Sequence, residues 1–206
     1  MKLLLGLARI AALGGLLALA GCVTAENSLS QSDIADMKLT GVTVSLAPDA
    51  RIQWEEAVRA YGVSKSLMDD QMMAASETPE GRAYIHAMLA PRIKTGLEQQ
   101  LSRQLAGTRP VRLEITVKTF ALASAATRIF IGGGRGMSAD ATLVDARTGK
   151  VLLVNPGLSA ALVTGQGIVG TMVQAAVDSN STQSPADKVI ARYAEVYRNW
   201  LLKDRA

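Results

Sequence analysis

The side chains that most often carry out chemistry in proteins are scarce in this chain. It contains one cysteine, Cys22, and one histidine, His86, among 206 residues. A lone cysteine forms no internal disulfide, and these two residues do not supply the ligands of a structural zinc site. The acidic pairs Glu55-Glu56 and Asp69-Asp70 are sequence neighbours, which point apart on a helix. We therefore predict a protein that is not an enzyme and holds no cofactor or metal.

One glycine-rich segment matches the pattern of a dinucleotide-binding loop. Gly165, Gly167 and Gly170 fit G-x-G-x-x-G, between an apolar run and a helical one. The rest of that motif is missing, because only 36 residues follow and none forms a clear strand ending in an acid. A tight turn is the favoured interpretation, and a nucleotide-binding enzyme stays as a third hypothesis.

A second glycine-rich segment is a candidate contact loop. It comprises Gly132, Gly133, Gly134, Arg135 and Gly136. The residues after it alternate like a strand, so no helix N-terminus would face a phosphate there. A hairpin tip or bulge is the favoured structure, and a flexible contact loop with Arg135 at its tip is the functional alternative.

The N-terminus has the pattern of a secretory signal. Lys2 and Arg9 are its only charges, and an apolar core runs from Ile10 to Ala20. The uncharged run from residue 10 to residue 25 is shorter than the roughly 20 residues of a membrane-spanning helix. We therefore predict a signal peptide over residues 1–21 rather than a transmembrane anchor.

The end of this signal resembles a bacterial lipobox, Leu19-Ala20-Gly21-Cys22. The resemblance implies diacylglycerol on the Cys22 sulfur, cleavage after Gly21 and acylation of the new amino group. Several acyl chains would make attachment effectively permanent, at about 0.8 kcal/mol per buried CH₂. Under the enteric sorting rule, Val23 in place of an aspartate implies the outer membrane, facing the periplasm, with the inner membrane as the open alternative.

Composition and charge exclude several classes of protein. The chain is 49% hydrophobic and carries a net charge of +4, which suits a globular domain and does not indicate a nucleic-acid partner. Residues 92–135 hold eight basic and two acidic residues, a net charge of +6. An ordinary solvated surface is the favoured interpretation, and a basic face toward anionic lipid or an acidic partner is the alternative.

The mature chain is predicted to be a tether followed by one domain. Residues 22–37 carry the lipidated cysteine and a polar, flexible tether, and residues 38–206 form a single α/β domain. Periodicity predicts strands at residues 39–46, 111–118, 128–131, 137–144, 151–154 and 158–164.

The same pass along the chain predicts several helices and one turn. The predicted helices span residues 51–61, 64–75, 78–106, 168–178 and a last stretch that starts at Ser184. Pro91 should kink or divide the longest helix, and Gly107 should cap it. A hairpin turn is predicted at residues 145–150.

Met68, Met72 and Met73 are expected to fill a core rather than form a docking groove.

The predicted fold class is α+β. It has a mixed or antiparallel sheet of about four to five strands packed by three main helices, after the signal peptide and tether.

The lipobox, the polar tether, the β-α-β opening and the stretch from Gly136 to Gly149 resemble small uncharacterised bacterial lipoproteins. Their sheet domain is similar to the periplasmic domain of the curli-secretion channel lipoprotein. The resemblance implies an anchored envelope protein with no shared catalytic residues.

These observations favour a non-catalytic structural or accessory component of the cell envelope. Its partners would be the membrane, through the lipid anchor, and an unknown envelope protein. The alternative is a periplasmic module that binds a small molecule or lipid in an apolar cavity.

Overall fold

Alternating side chains build the sheet in this computed structural model, which describes residues 25–122, 134–162 and 183–204. In β2, Val111, Leu113, Ile115 and Val117 are buried, and the residues between them face the other side. In β3, residues 137, 139, 141 and 143 repeat the pattern. One face of the sheet therefore carries the core and the other faces outward.

The described elements, in chain order, are α1 (Gln31–Asp36), β1 (Met37–Trp54), α2 (Glu55–Ser64), α3 (Asp69–Ser76), α4 (Pro79–Leu101), β2 (Arg109–Leu122), β3 (Arg135–Asp145), β4 (Val151–Leu162) and α5 (Pro185–Leu202).

The four strands lie in the order β1-β2-β3-β4. β1 and β2 are parallel and are joined by the crossover that contains α2, α3 and α4, as parallel strands require. β2, β3 and β4 follow as antiparallel neighbours. The mixed sheet, with helices packed on its apolar face, confirms the predicted α+β fold.

The two long helices cover the core face of the sheet. The stripe predicted in the first, Ile93, Leu97 and Leu101, together with Leu105 beyond its end, is 0–1% exposed. α5 contributes Ile190, Tyr193, Tyr197 and Leu201, each at most 2% exposed. Thr78 and Ser184 cap these helices by accepting from the backbone N–H groups three residues on, as predicted.

Local differences from the prediction have physical causes. Residues 51–54 are strand rather than helix, because they pair with residues 119–122 of β2. α4 runs undivided through Pro91, because Pro91 and Ala87, whose carbonyl loses its helical N–H partner, are both on the exposed face. Gly107 is not the helix cap. It lies six residues past Leu101 and packs so closely on Asp36 that a Cβ would be 2.3 Å from that backbone.

β4 joins the two strands predicted at 151–154 and 158–164 into one, which bends at Gly157, where φ is +65°. The turn at 145–150 is confirmed, with Gly149 at φ +72°. The strand predicted at 128–131 and the helix predicted at 168–178 lie outside the described residues.

Candidate anchoring site

The segment that follows the predicted lipidation site contacts the last turn of α5. The indole N–H of Trp200 donates to the carbonyl oxygen of Ala25 at 2.8 Å. The Asn27 side-chain amide donates to the Leu201 carbonyl at 2.7 Å and to the Trp200 carbonyl at 3.2 Å. Gln31 donates to the Leu202 carbonyl at 3.2 Å. These contacts satisfy carbonyls that a helix C-terminus leaves without intrahelical partners.

The same segment is also held by its own turn and by α1. The Asn27 side-chain oxygen accepts from the backbone N–H of Leu29, and Leu29 packs against the core. Ser30 and Asp33 form a reciprocal capping box at the start of α1, and Ile34 is 3% exposed. The structure thus differs from the predicted tether over 22–37, because residues 25–36 are docked on the domain.

This docking places the start of the described chain at one end of the sheet. The backbone N–H groups of Gly107 and Thr108 donate to the carbonyls of Met37 and Asp36, both at 2.8 Å. Ala146 in the β3–β4 turn donates to Pro110 at 3.0 Å. We call this the proximal end, comprising residues 25–38, 102–109, 145–150 and 200–204.

The opposite end of the sheet is built by other residues. There Trp54 pairs with Leu122, and Arg135 pairs with both Leu122 and Leu162. Helix α2 follows Trp54 directly, and Gly134 precedes Arg135. We call this the distal end, comprising residues 54–64, 122, 134, 135 and 162.

A hydrogen-bonded carboxylate stabilises the turn at the proximal end. One oxygen of Asp145 accepts from the backbone N–H groups of Thr148 and Arg147 at 3.0 and 3.1 Å. The other accepts from the Arg109 guanidinium at 3.1 Å. The Thr148 N–H, with further contributions from Arg109 and Arg147, holds the pKa of Asp145 below its usual value.

Charges of both signs are exposed at the proximal end. The cations are Lys38, Arg103, Arg147, Lys150 and Lys203, and the acids are Glu26, Asp33, Asp36 and Asp204. This mixture does not form a surface of a single sign.

Most of the basic residues in the first part of the 92–135 segment are paired with acids. Of the six basic residues between 92 and 122, five lie within 4.0 Å of a carboxylate. The pairs are Arg92–Asp187, Lys94–Glu98, Arg109–Asp145, Arg112–Glu114 and Lys118–Asp140. This arrangement favours an ordinary solvated surface over a basic binding face.

The candidate contact loop is described only in part, since Gly132 and Gly133 lie outside the described residues. Gly134 is exposed, and a Cβ there would contact nothing within 4 Å. Arg135 is not at a loop tip. It is the first residue of β3 and is 8% exposed, on the inward face with Met137. At Gly136 a Cβ would approach the Ala160 carbonyl to 2.8 Å, so glycine permits the close strand approach.

Cys22 and the Gly165, Gly167 and Gly170 segment lie outside the described residues. His86 lies on α4, and its Nε2 is 3.0 Å from the Val44 carbonyl oxygen. This hydrogen bond ties α4 to β1, which is a structural role.

The methionine segment differs from its prediction as core. Met68 and Met73 are 65% and 60% exposed, and only Met72 packs against the core, where it fills the space beside Gly62. Val63, at 66% exposed, is on the neighbouring helix α2. α3 contacts α2 and α4, and of its eight residues only Ser76 is buried.

A groove of about 430 Å³ runs between α4 and α5. Its lining is mixed, with Arg92, Gln99, Gln100 and Asp187 beside Ile190. It therefore differs from the apolar cavity that a lipid-binding module would need.

Within the described ranges, no helix combines the length and apolarity needed to cross a bilayer. Over the same residues, no three histidine, cysteine or acidic side chains are grouped as metal ligands would be.

Sequence reasoning missed the docking residues Asn27, Gln31 and Trp200. The first two looked like parts of a polar tether, and Trp200 looked like one more member of the apolar stripe. For Arg135, by contrast, the sequence did contain a signal. Arg135 and Met137 are two positions apart in a strand and so share a face, which predicts that Arg135 faces inward.

Comparison with known proteins gives one family and weak similarities to solved structures, two of which are described below. A family model matches residues 77–206, more than half of the chain, and is described as a family of unknown function (DUF6778). The match begins just before α4 and includes β2, β3, β4 and α5. No curated protein matches the chain.

The first solved structure is a candidate lipoprotein from Caulobacter crescentus CB15, with 12% identity and a TM-score of 0.37. The match covers 84% of this chain and 92% of the other. The second is a dodecamer of a PelC variant from Paraburkholderia phytofirmans, with 11% identity and a TM-score of 0.33. That match covers 82% of this chain and 93% of the other. Both similarities are too weak to carry an argument about function.

Proposed function

This chain belongs to the family of unknown function DUF6778, and we propose that it is a lipid-anchored, non-catalytic component of the bacterial cell envelope, attached through Cys22. The membrane is its first partner and an envelope protein its second. Val23 favours the outer membrane, facing the periplasm.

The observation that carries this proposal is the pattern of the N-terminus, with two basic residues, an apolar core and the sequence Leu19-Ala20-Gly21-Cys22. The segment that follows is compatible with cleavage after Gly21. Ala25, three positions after Cys22, accepts a hydrogen bond from the indole N–H of Trp200, and that cleavage would leave this bond in place.

The polar side chains of the described residues support a role without catalysis. His86 bonds to a backbone carbonyl, and Asp145 is held by a turn and by Arg109. Each has a structural partner, and the Thr148 hydroxyl that donates to Asp145 belongs to the same turn.

Membrane fractionation and crosslinking in cells test this proposal. The full chain carries a C-terminal tag, and a matched control replaces residues 1–22 by a secretory signal with an ordinary cleavage site. We expect the full chain in the membrane fraction and the control in the soluble periplasmic fraction. A soluble full chain would contradict the anchor.

Crosslinking in intact cells then tests the accessory role. We expect one envelope protein to co-purify with the anchored chain in a fixed ratio and to be depleted with the control. Recovery of the chain alone, as a monomer, would contradict this role.

A further inference from the structure

The distance between the predicted anchor and the domain is short. Cys22 and Ala25 are three residues apart, and an extended chain spans at most about 3.6 Å per residue, or about 11 Å here. The polar layer on each side of a bilayer is about 5–8 Å thick, from the difference between its total and hydrocarbon thickness. A lipid on Cys22 would therefore hold Ala25 at or just above the headgroups.

Because the segment is docked, the short distance between Cys22 and Ala25 limits how far the whole domain can lie from the membrane. Ala25 and Asn27 are bonded to the last turn of α5, and α1 continues into β1 without a gap. From residue 25 onward there is accordingly no free tether about which the domain could swing. Of the tether predicted over residues 22–37, only Val23 and Thr24 separate Cys22 from the docked segment in the sequence.

We propose that the proximal end of the domain rests on the lipid headgroups and that the distal end points away from the membrane. This orientation rests on the proposed anchor at Cys22. β2 has 14 residues, so the distal end stands about 45 Å from the proximal end along the sheet. Gly134, which is exposed, would then lie where a periplasmic partner can reach it.

The surface of the proximal end is compatible with contact to lipid headgroups, but it has no excess of one charge that would attract it to anionic lipid. Trp200 is partly exposed there, and tryptophan is favoured at membrane interfaces because its ring is apolar and its N–H is polar. The exposed cations and acids named above are interspersed. The orientation therefore depends on tether length and should persist at high salt, where attraction to anionic lipid is screened.

Two single-cysteine variants of the lipidated protein test the orientation. Lys203→Cys lies at the proximal end and Gly134→Cys at the distal end, and both positions are exposed. A Cβ at Gly134 meets nothing within 4 Å, so the control is well tolerated. Acylation occupies the Cys22 sulfur, which leaves the introduced thiol as the only one to label.

Each variant is labelled with an environment-sensitive fluorophore and reconstituted into vesicles of phosphatidylethanolamine and phosphatidylglycerol. We expect a blue shift at position 203, with loss of emission when a quencher is attached to the lipid headgroups, and neither effect at position 134. The difference should remain in salt of about 0.5 M, where screening is nearly complete beyond a few ångströms. Equal signals at the two positions, or a larger one at 134, would overturn the orientation while leaving the anchor intact.

A chain that fails to float with the vesicles and lacks the mass of a lipid would overturn the anchor itself, and the orientation with it. Flotation and mass are read on the same samples as the fluorescence. The two failures are therefore distinguished.

Discussion

The indole N–H of Trp200 donates to the carbonyl oxygen of Ala25 at 2.8 Å, across 175 positions of sequence. This bond joins the first described residues to the last helix at a single end of the sheet. Cys22 lies three residues before Ala25, so an anchor there, as proposed, would be tied to the end of the molecule that holds the C-terminus of α5.

Asn27 should be the most sensitive residue of the docked segment. Asn27→Ala removes two hydrogen bonds to the last carbonyls of α5 and one from the N–H of Leu29. We expect the free energy of unfolding to fall by about 1–2 kcal/mol in urea titration. The exposed neighbour is the control, since Ser28→Ala should change stability by less than about 0.5 kcal/mol. Equal effects of the two substitutions would show that the segment is not docked.

Asp145 should make stability depend on acid pH. Its folded-state pKa is depressed, so its contribution is present above the unfolded value of about 3.9 and is lost as pH falls through the lower folded value. Asp145→Asn keeps an oxygen for the N–H groups of Thr148 and Arg147 but loses the charge beside Arg109. Urea titrations should show a stability difference between wild type and variant that is constant above about pH 5 and shrinks below about pH 4. A stability difference that does not change between about pH 5 and lower pH would show that Asp145 is not the source of the acid-dependent stability.

Gly96 should be required by the close crossing of the two long helices. A Cβ there would lie 2.6 Å from the Cγ2 of Ile190, which is buried and stiff at χ1. We expect Gly96→Ala to lower the free energy of unfolding by about 1–2 kcal/mol, despite the higher helix propensity of alanine.

The matched background for this change is Ile190→Ala, which removes the clashing methyl group. In that background Gly96→Ala should be neutral or stabilising by up to about 1 kcal/mol, because only the helix propensity remains. If the substitution costs the same in both backgrounds, the crossing is not the cause.

Val23 should decide the membrane in which the protein resides, where the enteric sorting rule applies. Val23→Asp should move the lipidated chain from the outer to the inner membrane fraction on a density gradient. Val23→Ser is the matched control and should leave it in the outer membrane. An unchanged distribution for the aspartate variant would contradict sorting by this position.

The sheet and the long helices could be predicted from the sequence because their patterns are local and regular. β2 alternates from Val111 to Lys118, and the four-residue repeat from Ile93 to Leu105 marks one buried stripe. Both α4 and α5 also begin at a capping hydroxyl followed by proline. Neither signal depends on a distant part of the chain.

The docked segment could not be predicted, because its bonds join residues more than 170 positions apart and leave no periodic trace. Asn27 and Gln31 have the composition of a tether and become structural only when α5 presents its last carbonyls to them. The strand at residues 51–54 was missed for a related reason. Trp54 has helical spacing with Val58, but pairing with β2 outweighs that local preference.

The intact mass of the mature protein, purified from membranes, tests the central claim most directly. The account predicts a chain that begins at Cys22, lacks residues 1–21, and carries the added mass of a diacylglyceryl group and an acyl chain. Cys22→Ser should lack that added mass. An unmodified chain, or a wild type and a Cys22→Ser variant that differ only by the single-atom substitution, would contradict the anchor on which the account depends.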